Sequence, residues 1–378
     1  MEKNIKITIF SLIVVISAIC IIAVYNNNTS RKTFKKDGIL YALTVDGTSA
    51  TSFPSKGMYK VTVSCKNADC KWLYEDWKLS IENITGDVSC DIDFITIEKT
   101  YLNNYITSLA GTTQGTGEVV NENGYRYEGK NPNNYIWFNN EYWRIIGVFD
   151  SNTHGQSGEN LVKIIRAEIL DGVAWYYTSN TNDWTAASLN SLLNRNYYNA
   201  TDGTSSGRSC AMIYGNINCD YTKRGIQAGY RSMIANVTWY LGGYSDSDAT
   251  AEAFYGYERG ATVYSERPTS TTGYIGLMYP SDYGYSVLSS SCARTTNLGS
   301  YSSSSCAGAS WLFGNGYEGM LSPDSSNSYY VFMLESRGYL DRGSTGLIYG
   351  VRPVLYLDSS IYKIDGDGSL ENPYIIGM

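Results

Sequence analysis

Four carboxylates lie among aromatic residues in the second half of the chain, where two of them could act together as acid and base. They are Glu258, Glu266, Asp282 and Glu335. Glycosidases place such a pair of carboxyl groups on either side of the bond that they hydrolyse. The alternative is that the adjacent charges of Glu258-Arg259 and Glu266-Arg267 form local ion pairs that order long loops. We prefer the ion pairs and predict that the protein is not an enzyme. A glycan-active hydrolase remains the less favoured hypothesis.

Histidine and metal chemistry receive little support from the sequence. The single histidine, His154, lies in the loop-like stretch DSNTHGQSGEN without a nucleophile elbow nearby. Cys65 and Cys70 are not followed by the second close pair of ligands that a zinc site needs. Asp365 and Asp367 open DGDGSLE, which is shorter than an EF-hand loop. We predict no cofactor; a weak calcium site near these two aspartates is the alternative to a plain turn.

The eight cysteines indicate disulfides more than a metal site. Cys20 lies in an apolar N-terminal run, and the other seven follow it. The disulfide candidates are Cys65 or Cys70 with Cys90, Cys210 with Cys219, and Cys292 with Cys306. One thiol is left over in this scheme. Free cysteines in a reducing compartment are the alternative.

Tyrosine dominates the composition, with 35 Tyr against 9 Phe. Many of these tyrosines lie between residues 244 and 285 among Ser, Gly, Thr and Asp, a composition typical of adaptable recognition surfaces. The residues that we predict to bind a ligand are Tyr255, Tyr257, Glu258, Arg259, Tyr264, Arg267, Asp282, Tyr283 and Tyr285. The alternative is that several of these tyrosines fill the core of a loop-rich domain.

The charge balance argues against a nucleic-acid partner. Charged residues make up 17% of the chain, and the formal net charge is -7. Binding to a polyanion rests largely on a basic surface that neutralises phosphates. We therefore predict no nucleic-acid binding.

An uncharged apolar run, ITIFSLIVVISAICIIAVY, occupies residues 7–25. As a helix it would approach the roughly 30 Å of a bilayer's hydrocarbon core. We predict a transmembrane signal anchor after a cytoplasmic tail at residues 1–6, with a cleaved signal peptide as the alternative. Residues 26–37 form a basic juxtamembrane linker, whose charges outnumber those of the tail and so oppose the positive-inside rule. The predicted location is the plasma membrane, single-pass, with most of the chain extracellular.

Two folded parts are predicted after the linker. Residues 38–100 contain three runs with an apolar residue at every second position, MYKVTVSC, WKLSIENI and CDIDFITI, which indicate a small β-sandwich. Residues 101–122 contain a short amphipathic helix and a Gly/Thr/Asn-rich linker. Residues 123–360 form the larger domain, and residues 361–378 a C-terminal tail.

The larger domain is predicted to combine strands, two helices and long loops, an α+β fold. NYIWFNNEYWRIIGVFD indicates a hairpin, because Asn139-Asn140 can supply the positive φ angles of a tight turn. NLVKIIRAEIL indicates a third strand. Apolar residues recur at helical spacing in DWTAASLNSLLNRNYYN and across residues 225–241. From residue 242 to 346 the periodicity fades, which indicates long irregular loops.

The opening EYWRIIGVF and the closing GVRPVLYL of this domain resemble the C-type-lectin-like fold, in the branch that includes formylglycine-generating enzymes. FYGYERGATVYSERPTSTTGYIGLMYPSDYGY and DGDGSLENPYII look like membrane-anchored proteins of gut-dwelling low-GC Gram-positive bacteria. The resemblance covers residues 125–378 and implies a C-type-lectin-like α+β domain with long irregular loops. The chain departs from the enzymes, since no cysteine pair stands near the domain's end to bind copper. It also lacks the calcium signatures of sugar-binding lectins.

In the C-type-lectin-like fold the first and last strands lie side by side. The resemblance therefore implies that Trp143 and Arg144 share a ladder with Gly350, Arg352 and Pro353. Proline cannot donate to a ladder and belongs at an edge or a bulge. An Arg352 side chain on an apolar sheet needs a carboxylate or backbone carbonyls, so we expect a structural role for it.

We predict from these features a cell-surface binding or adhesion protein that recognises an extracellular glycan or protein through its Tyr-rich loops. Its other predicted partner is the lipid bilayer, through residues 7–25. A structural or pilus-like assembly component of the cell envelope is the alternative.

Overall fold

The computed structural model describes residues 33–74, 76–176, 181–203, 219–314 and 316–378. These residues form two compact units, the first ending at Glu98 and the second running from Lys99 to Met378. The division falls close to the boundary that the sequence suggested at residue 100.

Residues 33–74 and 76–98 of the first unit form seven strands. They are β1 (Thr33–Lys36), β2 (Ile39–Val45), β3 (Thr48–Ala50), β4 (Tyr59–Lys66), β5 (Asp69–Leu73), β6 (Lys78–Glu82) and β7 (Ser89–Thr96). One sheet has the order β1-β2-β7-β4 with β3 also on β2, and β5 pairs with β6. Trp72 on β5 packs edge-on against Phe53 and Phe94, so both sheets share one aromatic core. A disulfide joins Cys65 and Cys90 at paired positions of β4 and β7.

The second unit contains most of the secondary structure. Its strands are β8 (Thr100–Tyr101), β9 (Thr113–Gln114), β10 (Gly117–Asn121), β11 (Tyr125–Gly129), β12 (Tyr135–Phe138), β13 (Glu141–Phe149), β14 (Leu161–Arg166), β15 (Asp171–Ala174), β16 (Val237–Tyr240), β17 (Ser270–Gly273), β18 (Ile275–Gly276), β19 (Glu318–Pro323), β20 (Tyr330–Leu334), β21 (Leu340–Ser344), β22 (Ile348–Val351), β23 (Val354–Leu357), β24 (Tyr362–Asp365) and β25 (Ile375–Gly377).

The helices of the second unit are short. They are α1 (Leu102–Ser108), α2 (Ser151–His154), α3 (Ser188–Ser191), α4 (Ala228–Arg231), α5 (Ala251–Glu258) and α6 (Pro280–Tyr285). A π turn (Leu192–Tyr197) continues α3, and 3₁₀ turns cover Trp184–Ala186, Leu298–Ser300 and Cys306–Ala309. Helical structure therefore occurs where DWTAASLNSLLNRNYYN predicted it.

The main sheet of the second unit has the order β18-β23-β14-β13-β11-β10-β9, with β12 also on β13. The hairpin predicted at Asn139-Asn140 is present, with φ angles of 56° and 60° at these residues and Phe138 paired with Glu141. β14 lies between β13 and β23 and is buried from Leu161 to Ile165. A strand covered on both faces is dominated by apolar residues, and Lys163 is therefore an exception in β14.

The predicted ladder between the first and last strands of this domain is wrong. Trp143 on β13 pairs with Arg166 on β14, and the Arg166 N–H donates to the Pro353 carbonyl at 3.0 Å. One strand therefore separates the two segments. Arg352 and Pro353 lie between β22 and β23, which belong to different sheets. Proline fits there because the chain changes sheets at this point and no ladder needs its missing N–H.

The predicted α+β class is also wrong, because the described residues are mostly β, with 39% in strands and 15% in helices, and the strands form several separate sheets. Residues 225–241 form the four-residue α4 and strand β16 instead of one helix. Residues 242–346 contain α5, α6 and β17 to β21 instead of only irregular loops. The segment predicted as a tail forms β24 and β25, and β24 pairs with β8.

The membrane prediction is corrected as well. No helix within the described ranges is long and apolar enough to cross a bilayer. The predicted span at residues 7–25, the tail at 1–6 and most of the linker lie outside those ranges. The single-pass plasma-membrane assignment is therefore withdrawn, and the lipid partner, which depends on residues 7–25, stays a prediction.

Candidate functional site

Five charged side chains meet inside the second unit, and we call them the buried ionic cluster. Its members are Arg126 on β11, Lys163 on β14, Glu258 at the end of α5, Arg259 and Asp282 on α6. The side chains of all but Arg259 are at most 1% exposed. Charged groups withdrawn from water to this degree are costly unless they pair with one another.

Asp282 is held from several sides. Its Oδ2 accepts hydrogen bonds from Lys163 Nζ at 2.5 Å and from the Tyr279 N–H at 3.0 Å. Tyr279 is the N-cap residue of α6. Asp282 Oδ1 accepts from Arg126 NH1 at 3.0 Å. Burial alone would raise the pKa of Asp282, but the charges of Lys163 and Arg126 outweigh it and lower that pKa below its usual value.

Lys163 lies in a cage of aromatic rings. Its Nζ is 4.5 Å from the centroid of Tyr279 and between 5.6 and 5.8 Å from the centroids of Tyr356, Phe149 and Trp239. Burial lowers the pKa of Lys163 to about 8, although the Asp282 carboxylate acts in the opposite direction. The ammonium group is thus easier to deprotonate than that of an ordinary lysine.

Glu258 forms the second half of the cluster. It accepts from the Ser281 N–H at 2.8 Å, from Ser281 Oγ at 2.5 Å and from Arg259 NH1 at 2.9 Å. Burial raises the pKa of Glu258, and these partners only partly offset that effect. The Arg259 guanidinium lies 3.6 Å from the centroid of the Tyr255 ring and donates to the Tyr255 carbonyl. The adjacent pair expected at Glu258-Arg259 therefore exists, but it is buried and does not order an exposed loop.

The cluster retains polar atoms without a partner. Arg126 NH2, Arg259 Nε and Tyr356 Oη are buried and have no hydrogen-bond partner within the described ranges. Three cations face two carboxylates, so the charges do not cancel. Most buried polar atoms in proteins are paired, which makes this cluster unusual among core contacts.

The structure brings together five of the residues predicted to bind a ligand, but it places them in the interior. They are Tyr255, Glu258, Arg259, Asp282 and Tyr285. Tyr283 is also buried, and its hydroxyl donates to the Gly338 carbonyl at 2.6 Å. The alternative noted from the sequence, in which tyrosines fill the core, applies to these residues.

The other predicted ligand residues lie apart from the cluster. Tyr257 stacks on Tyr244 with ring centroids 4.1 Å apart. Arg267 lies 5.7 Å from the centroid of Tyr264, and both side chains are half-buried. These loops are therefore occupied largely by contacts within the protein.

Sequence reasoning missed Lys163 and Arg126. Lys163 stands in LVKIIR, and Arg126 stands in YRYEG between two tyrosines. A charge within a run that is otherwise apolar or aromatic was the available signal. A buried strand admits such a residue only if a partner of opposite charge reaches it.

The predicted structural residues form a second buried group. Arg352 donates to both carboxylate oxygens of Glu318 at 2.8 Å and to the Leu312 carbonyl at 2.8 Å. These are the carboxylate and carbonyl partners that the sequence led us to expect. Trp143 is fully buried in the same unit.

Arg144 has carbonyl and aromatic partners. It donates to Asn134 Oδ1 and to the Pro132 carbonyl, and its guanidinium lies 4.6 Å from the centroid of Trp311. Burial, and to a smaller extent the nearby charge of Arg352, lowers the pKa of Arg144 to about 10.

The remaining catalytic and metal candidates do not assemble into a site. His154 is buried, its Nε2 is 3.0 Å from the Phe149 carbonyl, and burial lowers its pKa. Asp367 accepts from the Ser369 N–H within a turn. Within the described ranges, no group of three His, Cys, Asp or Glu side chains could hold a metal ion.

The cysteines follow the scheme drawn from the sequence where the structure describes them. Disulfides join Cys65 with Cys90 and Cys292 with Cys306. Cys219 is also disulfide-bonded, and its predicted partner Cys210 lies outside the described residues. Cys70 is the free thiol among the described cysteines.

Large apolar side chains are exposed in or just before the strands of the second sheet, β15-β22-β19-β20-β21. We call them the apolar sheet surface. They are Ile169, Tyr317, Tyr329, Tyr330, Leu347 and Ile348, each between 38% and 57% exposed. Tyr330 pairs with Ser344, and the Leu347 N–H donates to the Ser344 carbonyl, so Tyr330 on β20 and the preceding Tyr329 adjoin the turn before β22.

Two facing glycines shape the other end of this surface. Gly172 pairs with Gly350 across β15 and β22. A Cβ on Gly350 would lie 2.8 Å from Ile169 Cδ1, and a Cβ on Gly172 would lie 2.9 Å from Ile348 Cγ2. The two isoleucines therefore lie over the glycine positions, and a side chain at position 350 would also approach the Tyr317 carbonyl oxygen at 3.0 Å.

The described residues form a two-unit, mostly β protein with disulfides. Its second unit has buried ion pairs in the core and an exposed apolar sheet surface. Comparison with protein-family models, with curated proteins and with solved structures finds no match. The family resemblance noted in the sequence therefore stays a prediction.

Proposed function

We propose that this is a binding protein that recognises a protein partner through the apolar sheet surface. The observation that supports it most is the exposure of six large apolar side chains along one sheet, including Leu347 at 57% and Tyr329 at 52%. Exposed apolar residues that are scattered singly need no explanation, but six at the strands of one sheet would suit an interaction site.

The composition of the surface favours a protein over a glycan. Tyr317, Tyr329 and Tyr330 alone would suit either partner, since tyrosine is enriched at protein interfaces and its ring can stack on a sugar. Ile169, Leu347 and Ile348 have neither a flat face nor a hydrogen-bonding group. Aliphatic side chains of this kind match the apolar core of a protein interface.

The Tyr-rich loops are the weaker candidate for recognition. Tyr279, Tyr283 and Tyr285 are at most 4% exposed, and Tyr255 is engaged by Arg259. A ligand could reach the three buried tyrosines only after the core had opened, whereas Tyr255 is half-buried. The proposal therefore moves the recognition surface from residues 244–285 to the second sheet.

Affinity capture followed by a measured dissociation constant tests the proposal. The wild-type protein, a Tyr329→Ser/Leu347→Ser variant and a Tyr142→Ser control are immobilised and exposed to proteins of the natural environment. Tyr142 is 38% exposed on β13 and serves as an exposed tyrosine outside the surface. The dissociation constant of any captured partner is then measured with purified material.

We expect the double variant to bind the purified partner about tenfold or more weakly, because central interface residues contribute most of the affinity. The Tyr142→Ser control should bind like the wild type. Equal binding by all three proteins would contradict the proposal, and so would binding to a glycan array without any protein partner.

A further inference from the structure

The amine of Lys163 and the carboxyl group of Asp282 are in direct contact. The Nζ to Oδ2 distance is 2.5 Å, and the two side chains are 0% and 1% exposed. The residues are 119 positions apart and belong to β14 and α6. An amine and a carboxyl group held this closely, without water between them, are the two reactants of an amide.

The groups around the carboxyl are placed to assist attack by the amine. Arg126 NH1 donates to Oδ1 at 3.0 Å, and the Tyr279 N–H donates to Oδ2 at 3.0 Å. Arg126 NH1 donates to the oxygen on which negative charge develops when a nucleophile adds to the carbon, and the Tyr279 N–H holds the other oxygen, which takes the proton and leaves. Donors fixed in advance at such positions stabilise tetrahedral intermediates.

The surroundings act on the two charges in different ways. The rings of Phe149, Trp239, Tyr279 and Tyr356 enclose the amine and exclude water. Burial lowers the pKa of Lys163 to about 8, although the cations nearby also keep the pKa of Asp282 below its usual value. The proton must therefore pass from the ammonium to the carboxylate, against the order of the two pKa values, before the amine can attack.

We propose that Lys163 and Asp282 form an intramolecular amide that cross-links the main sheet to α6. After the proton has passed to the carboxylate, the Nζ lone pair attacks the Asp282 carbon and a tetrahedral intermediate forms. The carbon–oxygen bond then breaks, and the oxygen leaves as water with one proton from the acid and one from the amine. An ammonium and a carboxylate thus give one amide and one water, and no other reactant is consumed.

The cross-link would change the properties of the second unit. It closes a loop of 119 positions in the unfolded chain, and a covalent link of that span restricts the unfolded state. It also replaces a buried ion pair by a neutral group, while Arg126 keeps the amide oxygen as acceptor. The unit would then hold together after reduction of its disulfides.

Cyanogen bromide cleavage of the reduced, alkylated full-length protein provides the test. Cleavage at Met58, Met212, Met278 and Met320 releases one fragment of residues 59–212, which carries Lys163, and another of residues 279–320, which carries Asp282. The Cys65–Cys90 and Cys292–Cys306 disulfides lie within single fragments and cannot join the two. Both fragments are internal, so processing at either terminus does not affect them.

We expect one joined species, whose mass is the sum of the two fragments less one water molecule, with the link assigned to positions 163 and 282 by tandem mass spectrometry. Two separate fragments of the masses given by the sequence would overturn the proposal. Since these outcomes come from the wild-type chain, they do not depend on whether any variant folds.

Two variants test the chemistry further. Lys163→Arg keeps the positive charge but lacks the amine, so its fragments should separate. Asp282→Asn should still form the link if it folds, because the amide nitrogen can leave as ammonia, and its joined species should have the same mass as that of the wild type. A joined species from Lys163→Arg would contradict the assignment of the link to Lys163.

Discussion

Arg352 and Glu318 form a bidentate ion pair in the interior of the second unit. Both hydrogen bonds measure 2.8 Å, and the side chains are 7% and 5% exposed. Glu318 begins β19, and Arg352 follows β22, its parallel neighbour in the second sheet. The pair thus fixes the point at which the chain leaves this sheet and enters β23 of the main sheet.

Removal of one partner of this pair should be strongly destabilising. Arg352→Met leaves the Glu318 carboxylate buried without its cation, and changes of this kind cost about 3–5 kcal/mol. Urea unfolding of the wild type and the variant measures the difference in the free energy of unfolding. Lys78→Met is the control, since Lys78 pairs with Asp76 while 60% exposed, and its loss should leave stability nearly unchanged. Equal losses in the two variants would contradict a buried role for Arg352.

The close approach of β11 and β13 makes Gly147 intolerant of a side chain. A Cβ at this position would lie 2.3 Å from the Tyr125 carbonyl oxygen. We expect Gly147→Ala to lower the free energy of unfolding by about 1–3 kcal/mol, since overpacking forces the backbone to shift. Gly256→Ala on α5 meets no atom within 4 Å and should raise it by up to about 1 kcal/mol, because alanine is the better helix former. Denaturant unfolding of both variants distinguishes the two signs.

The stability contributed by Glu335 should depend on pH. Burial would raise the pKa of Glu335, but hydrogen bonds from Arg337, Tyr317 and Ser336 outweigh it and lower that pKa to about 2. A carboxyl whose pKa is lowered on folding contributes stability above its unfolded pKa, roughly 4.3, and loses it as the pH falls towards the folded value. The free energy of unfolding of the wild type should therefore exceed that of Glu335→Gln near neutral pH, and the difference should shrink below about pH 4. A difference that does not change with pH would argue against these hydrogen bonds.

Cys70 should react slowly as a nucleophile. Burial, with a smaller contribution from the charge of Asp69, raises the pKa of its thiol above the usual value. The thiolate is the reactive form, so iodoacetamide should label Cys70 more slowly in the folded protein than in the denatured protein at the same pH. Peptide mass spectrometry without reductant follows the labelling of this residue. Equal rates in the two states would show that the thiol is freely exposed.

Local features of the chain could be predicted where the signal itself was local. The hairpin at Asn139-Asn140 follows from the two residues that tolerate positive φ, and the strands around it follow from alternating or continuous apolar residues. The need of Arg352 for a carboxylate follows from its apolar setting. The identity of that carboxylate does not, since Glu318 is 34 positions away and only the sheet topology brings it close.

The buried ionic cluster could not be predicted for a related reason. Tyr, Ser, Gly and Asp between residues 244 and 285 fit an exposed loop as well as a core built around ion pairs, because tyrosine suits both environments. Short elements such as α4 and α6 also lack the length at which periodicity separates helix from loop. The burial of Asp282 depends on Lys163 and Arg126, which lie on β14 and β11 far away in sequence.

The most direct test of recognition through the second sheet is site-specific photo-crosslinking. A photoreactive amino acid is placed at position 329 in the apolar sheet surface or at position 264 in the Tyr-rich loops, and each protein is irradiated among the proteins of its natural environment. We expect a discrete cross-linked protein from position 329 that disappears when Leu347 is changed to Ser, and none from position 264. A cross-link from position 264 alone, or one from position 329 that survives Leu347→Ser, would contradict recognition through this surface.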